Sequence, residues 1–197
     1  MSAILNYLSQ NTLEIAGTVF SLIYIYLSVK EKIALWIFGI LAAMCYAVVF
    51  FQSKIYAGLT LQMYYICISI YGFWNWKFGA GKDADSRLPV KKTKAKQWII
   101  FAIAATLIFF AYFFVLKRFT DSTVPFGDSF ATALCVVGAM MLAKKLLENW
   151  LIFIVADAFA VGLYLYQGLY LTACLFAVYS AMAVAGYLRW RAILNNR

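Results

Sequence analysis

One carboxylate stands in the middle of a long apolar stretch of this sequence. Asp157 lies within residues 148–166, and all of its neighbours for several positions are aliphatic or aromatic. An ionised carboxylate facing lipid is costly, so Asp157 is expected to face a bundle interior or a water-filled cavity. On a helix it shares a face with Trp150, Phe153 and Tyr164, which suits a flat organic cation. The alternative is a structural aspartate that is protonated or hydrogen-bonded between helices.

A second mixed face occurs earlier in the chain. Gln62 and Tyr65 recur at helical spacing with Ser69, Gly72 and Trp76. Amide and phenol groups on such a face could contact a polar substrate. A helix–helix hydrogen bond through Gln62 is an equally good explanation.

Several kinds of chemistry are excluded by what the sequence lacks. It contains no histidine, which removes Ser-His-Asp catalysis and imidazole metal sites. Its four cysteines are isolated within apolar segments, so neither a metal site nor a disulfide is expected. No phosphate-binding loop is present. We therefore expect no catalytic residues, no metal and no cofactor, and a protein that is not an enzyme.

The elements that position these residues are membrane spans. Hydrophobic residues make up 65% of the chain and charged residues 13%, which is outside the range of soluble domains. A helical span needs about 20 mainly apolar residues. The sequence predicts an all-α integral membrane protein with seven transmembrane helices, at 13–29, 33–51, 55–76, 97–116, 127–143, 148–166 and 169–189.

The chain also repeats itself. Residues 14–77 align without a gap on residues 128–191, at the constant offset of 114 that separates Trp36 from Trp150. Two polar residues break the symmetry, because Asp157 aligns with alanine and Gln62 with phenylalanine. An asymmetric ligand would require such differences. Other matched pairs are Tyr65/Tyr179, Gly72/Gly186 and Trp76/Trp190.

The repeats predict the domain organisation. Residues 1–78 form a first three-helix repeat, and residues 127–197 form a second. Between them, residues 79–126 hold a basic cytoplasmic linker and a linker helix, the fourth span. An odd number of spans before the second copy makes the repeats parallel, the 3+1+3 arrangement of SWEET-type carriers.

The basic residues predict the orientation. One side of the membrane would carry three of them, Lys54, Lys117 and Arg118, and the other side fourteen. The positive-inside rule places the richer side in the cytoplasm, with the N-terminus outside and the C-terminus inside. These residues favour anionic lipid headgroups, and no nucleic-acid partner is expected. Three tryptophans near the cytoplasmic span ends are interpreted as an aromatic belt: Trp36, Trp76 and Trp190.

Residues 147–190, LENWLIFIVADAFAVGLYLYQGLYLTACLFAVYSAMAVAGYLRW, resemble the last three helices of the nicotinamide riboside transporter (PnuC) family. The ENW element, the QGLYLTA turn and the IYG element carry the resemblance. It implies a facilitative vitamin transporter without energy coupling that assembles as a homotrimer. It matches Asn149, Trp150 and Asp157 to the site-lining helix, and Gln62 and Tyr65 to a polar third-helix face.

Within that family, nicotinamide riboside carriers typically have asparagine at the position of Asp157. The acid here, with VPFGDSFATAL at 124–134, resembles the thiamine-type (PnuT) branch. We therefore expect a uniporter in the bacterial inner membrane that imports a small cationic B-vitamin precursor, with thiamine ahead of nicotinamide riboside. An intramembrane enzyme and a channel-like or structural protein are the rivals from other classes.

Overall fold

The computed structural model describes residues 12–53, 56–79, 88–168 and 170–196. These residues form seven α-helices joined by short turns, and within them the only β-pairing is one isolated bridge between Lys91 and Leu146. The helices are α1 Thr12–Val29, α2 Leu35–Gln52, α3 Tyr56–Phe78, α4 Ala95–Phe119, α5 Pro125–Ala143, α6 Asn149–Tyr166 and α7 Tyr170–Asn195.

All seven predicted spans coincide with helices, and six of these are long and apolar enough to cross a membrane. The multi-pass, all-helical prediction is confirmed. The exception is α3, which has 23 residues but a more polar composition. It includes Thr60, Gln62, Asn75 and Lys77. That α3 crosses the membrane therefore stays a prediction.

The chain divides into two compact units, Met1–Trp74 and Asn75–Arg197. The first unit contains α1, α2 and most of α3. Within it, α1 packs along α2, and Trp36 of α2 lies directly against the backbone of α3 at Gly72. The second unit contains the last turn of α3 and all of α4 to α7, with α6 packed between α5 and α7.

The two sequence repeats have matching local structure. Helix α6, Asn149–Tyr166, begins and ends 114 residues after α2, Leu35–Gln52. The preceding turns also match, since Glu31 and Lys145 have φ of 53° and 57°, the left-handed conformation that closes a helix end. Equivalent hydrogen bonds, each 3.0 Å, run from the Lys32 amide to Leu27 and from the Leu146 amide to Met141.

Side chains from α3 cap the end of α5 in the second unit. The last carbonyls of a helix have no partner within it. Here the Asn75 amide donates to the Ala143 carbonyl at 2.9 Å, and the Trp76 indole donates to Leu142 at 3.2 Å. The belt interpretation of Trp36, Trp76 and Trp190 is wrong, because all three are buried. Their role is packing and capping.

Part of the basic linker is firmly docked. The strap, residues 88–94, pairs with the α5–α6 turn: the Lys91 amide donates to Lys145 at 3.1 Å, and the Leu147 amide donates to Lys91 at 2.9 Å. Leu88 and Val90 of the strap are buried. Residues 80–87 of the linker and Lys54, which entered the orientation argument, lie outside the described residues.

Candidate functional site

The face of α6 predicted to carry chemistry is its buried face. Asn149, Trp150 and Asp157 are 0%, 1% and 6% exposed, and Phe153 and Tyr164 are half-buried. The opposite face, with Leu151 and Val155, is exposed. Asp157 therefore faces the protein interior as predicted.

Trp150 is held in one position by α7. Its indole ring covers Gly186, where an added Cβ would lie 2.6 Å from ring carbon Cε2. Trp190 meets it edge-on, with ring centroids 5.4 Å apart. Only a glycine allows the ring so close to the helix. Trp150 therefore orients the start of α6 rigidly.

Two polar atoms on consecutive residues at the start of α6 are buried, and the structure shows no hydrogen bond to either from the described residues. They are Oδ1 of Asn149, an acceptor, and Nε1 of Trp150, a donor, and neither has a partner among the described residues. The other amide atom of Asn149, Nδ2, donates to the Leu146 carbonyl. Because an unsatisfied buried polar atom costs about 1–3 kcal/mol, each of these atoms is suited to bind water or a polar group of a ligand.

Asp157 lies at the midpoint of α6, in an apolar setting. The buried residues beside it on the same face are Ala156 and Ala160. In the described ranges no side chain or amide donates a hydrogen bond to its carboxylate, and no basic residue pairs with it. Among the residues that the structure describes, this buried carboxylate therefore has no counter-charge.

Aromatic side chains flank this face. Phe153 lies against α5, where an added Cβ on Gly138 would be 3.0 Å from its ring. Tyr164 lies 5.1 Å from Phe176 of α7, measured between ring centroids. Phe176 in turn meets Tyr179 at 5.7 Å. The carboxylate thus lies on a face with rings toward both ends.

The α3 face lies in the first unit. Gln62 and Ser69 are buried, at 8% and 4% exposed, and Tyr65 is half-buried with its ring 5.7 Å from that of Tyr64. In the part of the chain that the structure describes, Gln62 forms no hydrogen bond. Gln62 and Tyr65 therefore lie on a largely buried face of α3 within their own unit.

Two charged residues that sequence reasoning missed anchor the strap. The Lys145 ammonium donates to the Leu88 carbonyl at 2.8 Å and lies 4.6 Å from the Trp76 ring centroid, although Lys145 is only 4% exposed. The Glu148 carboxylate accepts from the amide and hydroxyl of Thr93, at 2.8 and 2.6 Å. The sequence contained a signal for Lys145. It aligns with Glu31 of the first repeat, and this is the one position of the turn at which the charge is reversed between the repeats.

These features define a multi-pass α-helical membrane protein with a buried aspartate on an inward face. The family model described as nicotinamide mononucleotide transporter matches residues 11–192. The chain belongs to that family.

Several relatives agree with this assignment. The chain is 25% identical over 202 residues to the nicotinamide riboside transporter PnuC of Escherichia coli K12, covering 90% of this chain and 84% of that protein. It is 20% identical over 177 residues to the PnuC of Neisseria mucosa, covering 85% and 67%. The crystal structure of the vitamin B3 transporter PnuC superposes with a TM-score of 0.74 at 20% identity, over 99% of this chain and 87% of that one.

The comparisons change the order of the two expected substrates. The relatives named here are nicotinamide riboside transporters, and none is a thiamine carrier. Thiamine, placed first from the sequence, has no support from them. The alternative, nicotinamide riboside, is the better supported of the two. These homologues are named as transporters, which is consistent with the expectation that the protein is not an enzyme.

Proposed function

We propose that this protein carries a small cationic B-vitamin precursor across the bacterial inner membrane by facilitated diffusion, with nicotinamide riboside as the substrate. The observation that carries the proposal is the buried carboxylate of Asp157, which has no partner among the described residues and lies on an aromatic face, in a chain of this family. Nicotinamide riboside contains a positively charged pyridinium ring. A cation of this kind would supply a counter-charge to Asp157.

Each residue of the α6 face has a role in this proposal. Asp157 would pair with the pyridinium charge, and Phe153 and Tyr164 would form aromatic walls beside the ring. Asn149 Oδ1 and Trp150 Nε1 would meet polar groups such as the ribose hydroxyls, because both atoms are buried and unsatisfied. Gln62 and Tyr65, on the α3 face, stay substrate contacts predicted from the sequence.

Thiamine is the second candidate, and the acid at position 157 favours it. Thiamine also carries a fixed positive charge on a ring, and the resemblance to the thiamine-type branch includes this aspartate. Both substrates satisfy the electrostatic requirement. Their remaining groups, a ribose in one and an aminopyrimidine in the other, must discriminate between them.

Counterflow in proteoliposomes tests the proposal. Vesicles loaded with unlabelled nicotinamide riboside should accumulate labelled nicotinamide riboside from outside, with saturation, whereas protein-free liposomes should not. Excess unlabelled thiamine added outside tests whether thiamine competes with labelled nicotinamide riboside for uptake. If only labelled thiamine showed saturable counterflow, thiamine would be the substrate in place of nicotinamide riboside. A flux that rises in proportion to substrate concentration would indicate a channel. Absence of both fluxes from folded protein would contradict the proposal.

The finer architecture belongs to the same proposal. We infer parallel three-helix repeats separated by α4, with the N-terminus outside, the C-terminus in the cytoplasm and a homotrimeric assembly. The matched helix bounds support the repeats, the skewed basic residues support the orientation, and the family resemblance supports the trimer. Labelling of a cysteine added at either terminus tests the orientation. Light scattering of the purified protein tests the trimer.

A further inference from the structure

A cluster of exposed lysines in the second unit has no part in the proposed transport site. They lie on the strap, on the first turn of α4 and at the end of α5, and every one is exposed. Within the described ranges none of their ammonium groups pairs with a carboxylate. We call this set the lysine patch: Lys91, Lys92, Lys94, Lys96 and Lys144.

The protein fixes the backbone that bears these lysines. Lys91 is bonded on both sides to the α5–α6 turn, and Thr93 donates twice to Glu148. The Lys94 amide donates to the Gln97 side chain at 2.9 Å, which starts α4 at a defined residue. The carboxylate of Glu148 is therefore occupied in holding the strap. The patch is a preorganised group of cations.

Lys144 joins the patch to α4. Its ammonium lies 5.7 Å from the ring centroid of Phe101, on the second turn of that helix. Lys144 also adjoins Lys145, whose carbonyl accepts the hydrogen bond from Lys91. The strap, the α5 end and the start of α4 thus place their lysines in one region.

An apolar, exposed helix surface begins directly beside the patch. Trp98, Ile99 and Ile100 follow Lys96 on α4 and are 38%, 62% and 62% exposed. The exposed surface continues along α4 through Ile103 and Leu107. Since α4 is apolar enough to span a membrane, we expect this surface to face acyl chains and the patch to lie at headgroup depth.

We propose that the lysine patch is a binding site for the headgroup of an anionic phospholipid such as phosphatidylglycerol. A phosphodiester there would neutralise unpaired ammonium groups while its acyl chains lie along α4. This continuity with the apolar helix favours a lipid over a soluble phosphate. The site is independent of the substrate proposal, because it uses none of the residues of that site.

Native mass spectrometry of the purified protein with phosphatidylglycerol tests the site. The variant Lys92→Gln/Lys96→Gln should bind this lipid about 30-fold more weakly. Each lysine near an anionic headgroup contributes about 1 kcal/mol, and 1.4 kcal/mol corresponds to about tenfold in affinity. The matched control, Lys117→Gln/Arg118→Gln, removes two charges from the other end of α4 and should bind as wild type. Equal losses in both variants would overturn the proposal, as would equal binding of phosphatidylcholine. So would displacement of the lipid by millimolar inorganic phosphate.

A third variant separates a built site from net charge. Glu148→Ala releases the strap at Thr93 but makes the protein one charge more positive. A preorganised patch predicts weaker phosphatidylglycerol binding by this variant, provided that a thermal melt shows it folded. Binding that is unchanged or tighter would contradict a fixed site.

Discussion

The role proposed for Asp157 can be tested with a single substitution. Asp157→Asn keeps the shape of the side chain and its hydrogen-bonding capacity but removes the charge. Loss of one partner of a desolvated charge pair costs about 2–5 kcal/mol, so affinity for the cationic substrate should fall by a factor of roughly 30 or more. The protein should still fold, since a neutral amide is cheaper to bury than a carboxylate. Calorimetric titration with nicotinamide riboside and thiamine measures the change.

A matched control for this variant is available on α5. Ser129 is fully buried, and its hydroxyl donates to the Pro125 carbonyl at 2.6 Å, so Ser129→Ala also removes a buried polar group. It should leave substrate affinity unchanged. A purely structural aspartate predicts the reverse for Asp157→Asn: unaltered affinity and a shifted melting temperature. That result in folded protein would remove Asp157 from the proposed site.

Individual residues were predictable from sequence where a single environment determines their placement. Asp157 is buried as predicted because a carboxylate cannot remain on a lipid-facing surface. Lys145 could not be predicted in the same way. A lysine next to a span end is normally solvated, and its burial depends on the Leu88 carbonyl, 57 residues away in sequence. Such distant pairings are not visible in local patterns.

At the scale of the helices, one glycine–tryptophan contact recurs in both repeats. An added Cβ on Gly72 would lie 2.4 Å from the Trp36 ring, and one on Gly186 would lie 2.6 Å from Trp150. Ordinary carbon–carbon contacts are about 3.5–4.0 Å, so either helix would have to move away from its neighbour. The glycines thus set the closest approach of α3 to α2 and of α7 to α6.

Gly186→Ala and Gly72→Ala should each destabilise the protein by about 1–3 kcal/mol, the usual cost of overpacking. Gly162→Ala is the control, because an added Cβ there meets nothing within 4 Å. Alanine is the better helix former, so this variant should be as stable as wild type or more so. Thermal melts in detergent, followed by circular dichroism, measure the three variants. Equal melting of Gly186→Ala and Gly162→Ala would mean that the contact is not tight in solution.

The helices themselves were largely predictable, but the connection before α4 was not. Apolar stretches predicted all seven helices, and the offset of 114 residues paired α2 with α6 at identical bounds. The strap, residues 88–94, has the composition of an ordinary hydrophilic linker. Lysines are frequent in and just after it, at four of the seven positions from 90 to 96. Their order comes from backbone pairing with a distant turn and from Glu148. Composition contains no information about either contact.

At the scale of the whole molecule, the repeats are alike in backbone and unlike in polarity. Matching turns at Glu31 and Lys145 and matching tryptophan contacts give both repeats the same frame. The polar residues Asp157 and Gln62 each occur in one copy only. A purely structural repeat would have no need of this asymmetry. It is the kind of difference that binding of an asymmetric substrate would require.

The proposed uniport of a cation makes the membrane potential the driving force. Moving one positive charge through 100 mV is worth about 2.3 kcal/mol, which corresponds to roughly 40-fold accumulation. A potassium gradient with valinomycin, inside negative, should therefore speed uptake of labelled nicotinamide riboside into proteoliposomes without any sodium or proton gradient. Valinomycin with equal potassium on both sides is the control, and it should give only equilibration. Uptake that does not depend on the potential but requires a sodium or proton gradient would show a coupled transporter. Asp157 would then be as good a candidate for binding the coupling ion as for binding the substrate.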